Sequence, residues 1–152
     1  MIQYDSKTDT LEHIKTVNKY LIGAATEILN RAKVHDNSKL IAPEKSYFDE
    51  ETPRLKSLVF GSQEYKDALE RLKPALEHHY ANNSHHPQHY EAGIDGMDLY
   101  DIIEMFYDWM AAGERTKNGN FGKSITVNKE RFNMSEQLCK IFENTHNRYH
   151  AD

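Results

Sequence analysis

The sequence predicts an all-α fold, a single domain over residues 1–152, from two observations. Apolar residues recur at three- and four-residue steps in several long segments. Glycine and proline gather between those segments. Outside those segments, a short extended piece is expected at "SITV", 124–127, within a glycine-containing connection.

The elements follow in chain order. In "TLEHIKTVNKYLIGAATEILNRAKV", Leu11, Ile14, Val17, Leu21, Ala25, Ile28, Leu29 and Ala32 mark one face of a long helix, with Asp9 or Thr10 as cap. His13 lies beside that stripe, one turn before Val17. "VHDNSKLIAP" interrupts the pattern. A shorter helix is expected within "PEKSYFDEETPRLKSLVF", broken near Pro53. Helix resumes in "QEYKDALERLKPALEHHYANN", with Leu69, Leu72 and Leu76 in register and Pro74 expected to kink or divide it. "NSHHPQHYEAGIDG" reads as a loop. Asp98 can cap "LYDIIEMFYDWMAAGER", whose core face is Leu99, Ile102, Ile103, Phe106, Trp109 and Met110. "TKNGNFGKSITVN" reads as a connection, and a last helix is expected over "KERFNMSEQLCKIFENTHNRY", with Phe132, Leu138, Ile141 and Phe142 inward.

Composition narrows the function. The chain is 38% hydrophobic and 28% charged, with a formal net charge of -5 and no long basic block. That balance argues against binding double-stranded nucleic acid, whose phosphates demand a basic footprint. No run reaches the apolar length of a membrane span, and "MIQYDSKTDT" lacks a basic-then-apolar leader pattern, so a cytoplasmic address is expected. Cys139 is the single cysteine, which excludes an internal disulfide. A small anionic substrate stays compatible with the acidic balance, because a metal ion can supply positive charge locally.

The chemistry is concentrated in a few places. "HHYANNSHHPQHY", residues 78–90, carries five of the nine histidines. "HDNSK", residues 35–39, sets an imidazole beside a carboxylate at a helix start, a pair suited to a divalent metal. Lys39 follows Asp36 by one turn, where an ammonium can meet a phosphate oxygen. Asp101, Glu104 and Asp108 share one face of their helix.

The ordered set His13, His35-Asp36 and Asp108 resembles the HD superfamily of metal-dependent phosphohydrolases, all-helical bundles marked by a His, a His-Asp pair and a distant Asp. "HDNSK" is similar to the "HDxxK" form found there, and "EMFYDWMAAGER" looks like that family's last helix. The resemblance covers roughly residues 10 to 116, with the C-terminal helix packing on that core. It is nearest to a branch of small HD-like proteins of bacteria and phages that shares "HH...N.HHP". The long insert with a Gly-Tyr-Pro motif is missing, so cyclic-dinucleotide hydrolysis is not implied.

The resemblance implies a metal bound by His13, His35, Asp36 and Asp108. It further implies that His79, with His86 or His85, holds a second ion that Asp36 bridges to the first, while His78 points elsewhere. His89, His146 and His150 read as incidental. Mixed imidazole and carboxylate donors suit one or two ions of Mn²⁺, Fe²⁺, Co²⁺, Ni²⁺ or Zn²⁺. Asp101 or Glu104 would orient a water, and Lys39 and Arg115 would balance phosphoryl charge. The expected activity is hydrolysis of a small phosphorylated substrate, a nucleotide first. Two rivals stand beside it: a di-iron oxygenase built on the same ligand set, and a non-catalytic metal or nucleotide binder.

Overall fold

The structure is a computed structural model that describes residues 4–58, 62–114 and 120–150. Among these, every regular element is helical: α1 (Lys7–Val34), α2 (Glu44–Ser57), α3 (Gln63–Asn82), α4 (Leu99–Glu114), α5 (Phe121–Phe132) and α6 (Glu136–Tyr149), with short 3₁₀ turns between some of them. The fold is all-α, as the periodicities predict. No helix among the described residues is long and apolar enough to cross a membrane.

The chain divides into two compact units, residues 1–35 and 36–152. The first unit is α1, a single helix of 28 residues in which no residue is buried. The helix ends at His35, whose backbone N–H closes on the Arg31 carbonyl. The next residue, Asp36, takes the left-handed conformation at φ 57° and ψ 13° and turns the chain. Aspartate tolerates this region better than most L-residues, because its short side chain can bond locally.

The second unit holds two packed layers. In the first, α2 and α3 run antiparallel, as the pairings Glu44–His79 and Glu51–Arg71 require. The buried stripe of α3 is Ala68, Leu72, Ala75 and His79, at steps of four, three and four. A histidine therefore completes an otherwise apolar face. Pro53 and Pro74 both lie inside continuous helices, so neither break materialises. A proline removes one N–H and strains one turn, and along α3 the burial of Ala68, Leu72 and Ala75 outweighs that local cost.

The second layer is the core of α4, α5 and α6: Met105, Phe106, Trp109, Met110, Phe121, Ile125, Met134, Cys139 and Phe142. Asp98 caps α4 as expected, its Oδ1 accepting from the backbone N–H groups of Tyr100 and Asp101. Leu99, assigned to the core face, is exposed, and Ile141 is half exposed. "SITV" is helical within α5, because Asn120 caps the helix through Lys123 N–H and Ile125 is buried. The expected last helix is two helices. Asn133 is left-handed at φ 50° and ends α5, and Ser135 caps α6 by accepting from Leu138 N–H.

Candidate metal centre

Four side chains of the second unit converge. Asp36, His79, His85 and His86 each offer one ligand atom, and these four atoms lie within 4.8 Å of one another. Asp36 comes from the turn that opens the unit and His79 from the last buried turn of α3. His85 and His86 come from the loop that follows α3. That loop is tied down by Asp101, whose Oδ1 accepts from the Ser84 hydroxyl at 2.6 Å and whose Oδ2 accepts from the Tyr90 hydroxyl at 2.5 Å. Asp101 is 1% exposed.

The tautomers are set from behind. His79 Nδ1 lies 2.9 Å from Glu44 Oε2, and His85 Nδ1 lies 3.2 Å from Glu104 Oε1. A neutral imidazole has one N–H, and a carboxylate at Nδ1 draws it there. Both Nε2 atoms are then lone-pair acceptors. They face Asp36 Oδ1, another acceptor, at 3.3 and 3.5 Å, and His79 Nε2 also stands 2.8 Å from His86 Nε2. Acceptors facing acceptors in a buried space need either protons or a metal ion between them.

Protons fit poorly. Burial first, then the neighbouring charges of His85 and His79, push the His86 pKa down to about 3 against a weaker opposing pull from Asp108. Burial also works against the charge on Asp36, yet its polar surroundings, with the Lys39 ammonium at 2.6 Å, outweigh it and hold that carboxyl well below the usual range. At His86 and Asp36 the cluster thus presents a neutral imidazole and an ionised carboxylate, the protonation states that metals bind. Ligand atoms about 2.0–2.2 Å from one ion stand about 3 Å apart, in line with the observed separations.

The expected site residues fall into distinct places. His79, His85 and His86 all join Asp36, where the sequence reading paired His79 with only one of the others. Asp108 brings a carboxylate oxygen within 4.8 Å of one on Asp36. Glu104 bonds His85 rather than standing open to a water. Asp101, the other candidate for orienting water, has both oxygens engaged in anchoring the loop. Lys39 Nζ is 2.6 Å from Asp36 Oδ2, on the oxygen that a bridging carboxylate would turn toward a second ion. His13 sits exposed within α1 and His35 half-buried at its end, both in the first unit. Arg115 lies outside the described residues.

His78 points away from the cluster, as expected, toward Glu44 Oε1 at 2.8 Å. His89 bonds the Tyr80 carbonyl instead. Glu44 itself was missed by the sequence reading. Nothing in helical periodicity marks a glutamate as buried; the available signal was its seven-residue spacing from Glu51, which is also buried.

The arrangement defines an all-α protein with a histidine-rich, carboxylate-supported donor cluster. Over residues 2–148 the chain matches DUF5662, described as a family of unknown function, and it belongs to that family. No curated protein and no solved structure matches it.

Proposed function

We propose that the chain binds a divalent transition metal through Asp36, His79, His85 and His86, and uses it to hydrolyse a phosphate ester, most simply of a nucleotide. The observation that carries the metal reading is the meeting of His79 Nε2, His85 Nε2 and Asp36 Oδ1, with both imidazoles held by carboxylates on their far nitrogens. The donor set favours Mn²⁺, Fe²⁺, Co²⁺, Ni²⁺ or Zn²⁺ over Mg²⁺. Three neutral imidazoles and one carboxylate leave a dication with net positive charge, which welcomes an anionic substrate.

When bound, such an ion lowers the pKa of a coordinated water and polarises a phosphoryl oxygen. The protein's own residues divide the remaining work. Glu44 and Glu104 orient His79 and His85. Lys39, partly exposed and paired with Asp36, stands at the edge of the cluster, where its ammonium can also meet a substrate oxygen. Asp108 adds negative charge beside His86 and near Asp36, where a carboxylate can take a proton from a water. Hydrolysis as the reaction rests on the resemblance of the His-Asp pair and the later Asp to the HD pattern.

The test is metal analysis of protein purified without chelator or nickel resin, followed by a nucleotide panel with added Mn²⁺ or Co²⁺. About one metal equivalent, phosphate or nucleoside release, and arrest by EDTA are expected. Asp36→Ala should lose the ion and the activity together. Retained metal in that variant overturns the ligand assignment. A bound ion without turnover on any substrate makes the protein a metal binder, and oxygen-dependent turnover with an iron chromophore makes it an oxygenase. The HD-like ligand set adds His13 and His35; if His13→Ala and His35→Ala keep a full equivalent, the second unit holds the ion with its own residues.

A further inference from the structure

We infer that Glu44 is the positioning residue of this centre, a shared carboxylate that fixes the His79 tautomer and is itself held in place by His78. The inference rests on the metal reading above. Glu44 is fully buried, at 0% exposure, in the first turn of α2. Its Oε2 accepts from His79 Nδ1 at 2.9 Å and its Oε1 from His78 Nδ1 at 2.8 Å. The Ser38 hydroxyl also meets it. The groups that bond this buried carboxylate among the described residues are two imidazoles and a hydroxyl.

A buried carboxylate accepts hydrogen bonds only, so a bare nitrogen at 2.9 Å would leave two acceptors in contact without water to separate them. Ser38 Oγ at 3.2 Å and Asn83 Nδ2 at 3.0 Å also approach His79 Nδ1. Glu44 Oε2, at 2.9 Å, is the one charged, acceptor-only group among them, and it therefore selects the Nδ1–H form. That choice leaves the Nε2 lone pair pointing at Asp36 and His86, where the ion is held. Outer carboxylates of this kind raise the basicity of the ligating imidazole and fix its ring plane. Glu44 lies on the Nδ1 side of the ring, opposite the ligating atom, so it acts through His79 and does not itself reach the ion.

This arrangement also gives the doublet His78-His79 a division of labour. Adjacent helical side chains diverge by about 100°. Two neighbours reach one carboxylate only if each takes a different oxygen, as they do here. His79, 1% exposed, turns its second nitrogen inward. His78 is partly exposed and serves as the outer anchor.

Two measurements test the inference. In metal-free wild-type protein, long-range ¹⁵N–¹H spectra of the histidine rings should show His79 protonated at Nδ1 and bare at Nε2; an Nε2–H tautomer overturns the proposal whatever any variant does. Glu44→Gln should weaken Zn²⁺ binding by about 10- to 100-fold at unchanged helix content. Glu44→Asp, which restores the charge one methylene short, should recover part of that loss. Glu44→Gln protein that binds Zn²⁺ as tightly as wild type also overturns it. Should wild-type protein bind no metal at all, the metal reading falls, and the tautomer spectrum still decides what Glu44 does.

Discussion

Asp101 shows how one residue's task is assigned by its contacts rather than by its type. On a helical wheel it belongs to an acidic face with Glu104 and Asp108, and that placement invited a role with water. In the fold its carboxylate is 1% exposed and holds Ser84, Tyr90 and the backbone N–H of Asp98. Gly96 makes room for this clasp, since a Cβ there would stand 2.8 Å from Tyr90 Cβ. Asp101→Ala should therefore destabilise the protein by about 3 kcal/mol in urea unfolding, because it strands buried donors. A residue that only oriented water would leave the unfolding midpoint unchanged. A second residue-scale prediction concerns His146, whose ring packs on Phe121 at 4.7 Å. Burial, then the charge of His150, holds its pKa below 6.5. The unfolded chain then binds more protons than the folded one just below pH 6.5, so this stability is complete above 6.5 and is lost as pH falls. In EDTA, the Tm of His146→Gln should fall less than that of wild type between pH 7.5 and pH 5.

At the scale of elements, α2 carries its instructions on an unusual face. Glu44 and Glu51 are its buried residues, seven apart, and α3 answers with the His78-His79 pair and with Arg71, whose guanidinium bonds both oxygens of Glu51. A slip of α2 along α3 would strand these buried carboxylates away from their partners, so the pairs favour the observed register. The junction between α5 and α6 depends on one backbone conformation. Asn133, at φ 50°, should tolerate Gly without loss, while Asn133→Ala should cost about 1–2 kcal/mol, read from thermal or urea melts. Equal stability of the two variants would mean that the left-handed turn does not divide the helices. The continuous helix through Pro74 and the helical "SITV" have one cause in common. Local propensity sets a cost of a few kcal/mol at most, and burial of a whole face exceeds it.

For the molecule as a whole, the proposed ion ties together parts of the chain that are far apart in sequence. Asp36 opens the second unit, while His79, His85 and His86 follow more than forty residues later. An ion that binds only the folded arrangement stabilises it by mass action, by about 2.7 kcal/mol at one hundred times its Kd. The Tm of the second unit should rise by roughly 5–10 °C with Zn²⁺ or Co²⁺ and return with EDTA. Asp36→Ala protein should show no such rise. An unchanged Tm in wild type at saturating metal would remove the ion from the folded state's account.

The helical class, most helix spans, the cap at Asp98 and the concentration of donors at residues 35–36 and 78–86 were legible in the sequence. Each rests on chemistry or periodicity within a few residues of chain, where 3.6-residue spacing and side-chain type suffice. The buried status of Glu44, the loop-anchoring bonds of Asp101, and the facing of both Nε2 atoms toward Asp36 were decided only by tertiary structure. Those features join residues 11 to 49 positions apart. Which atom meets which across such distances follows from the register of α2 on α3 and from the path of the loop onto α4, which no local pattern encodes.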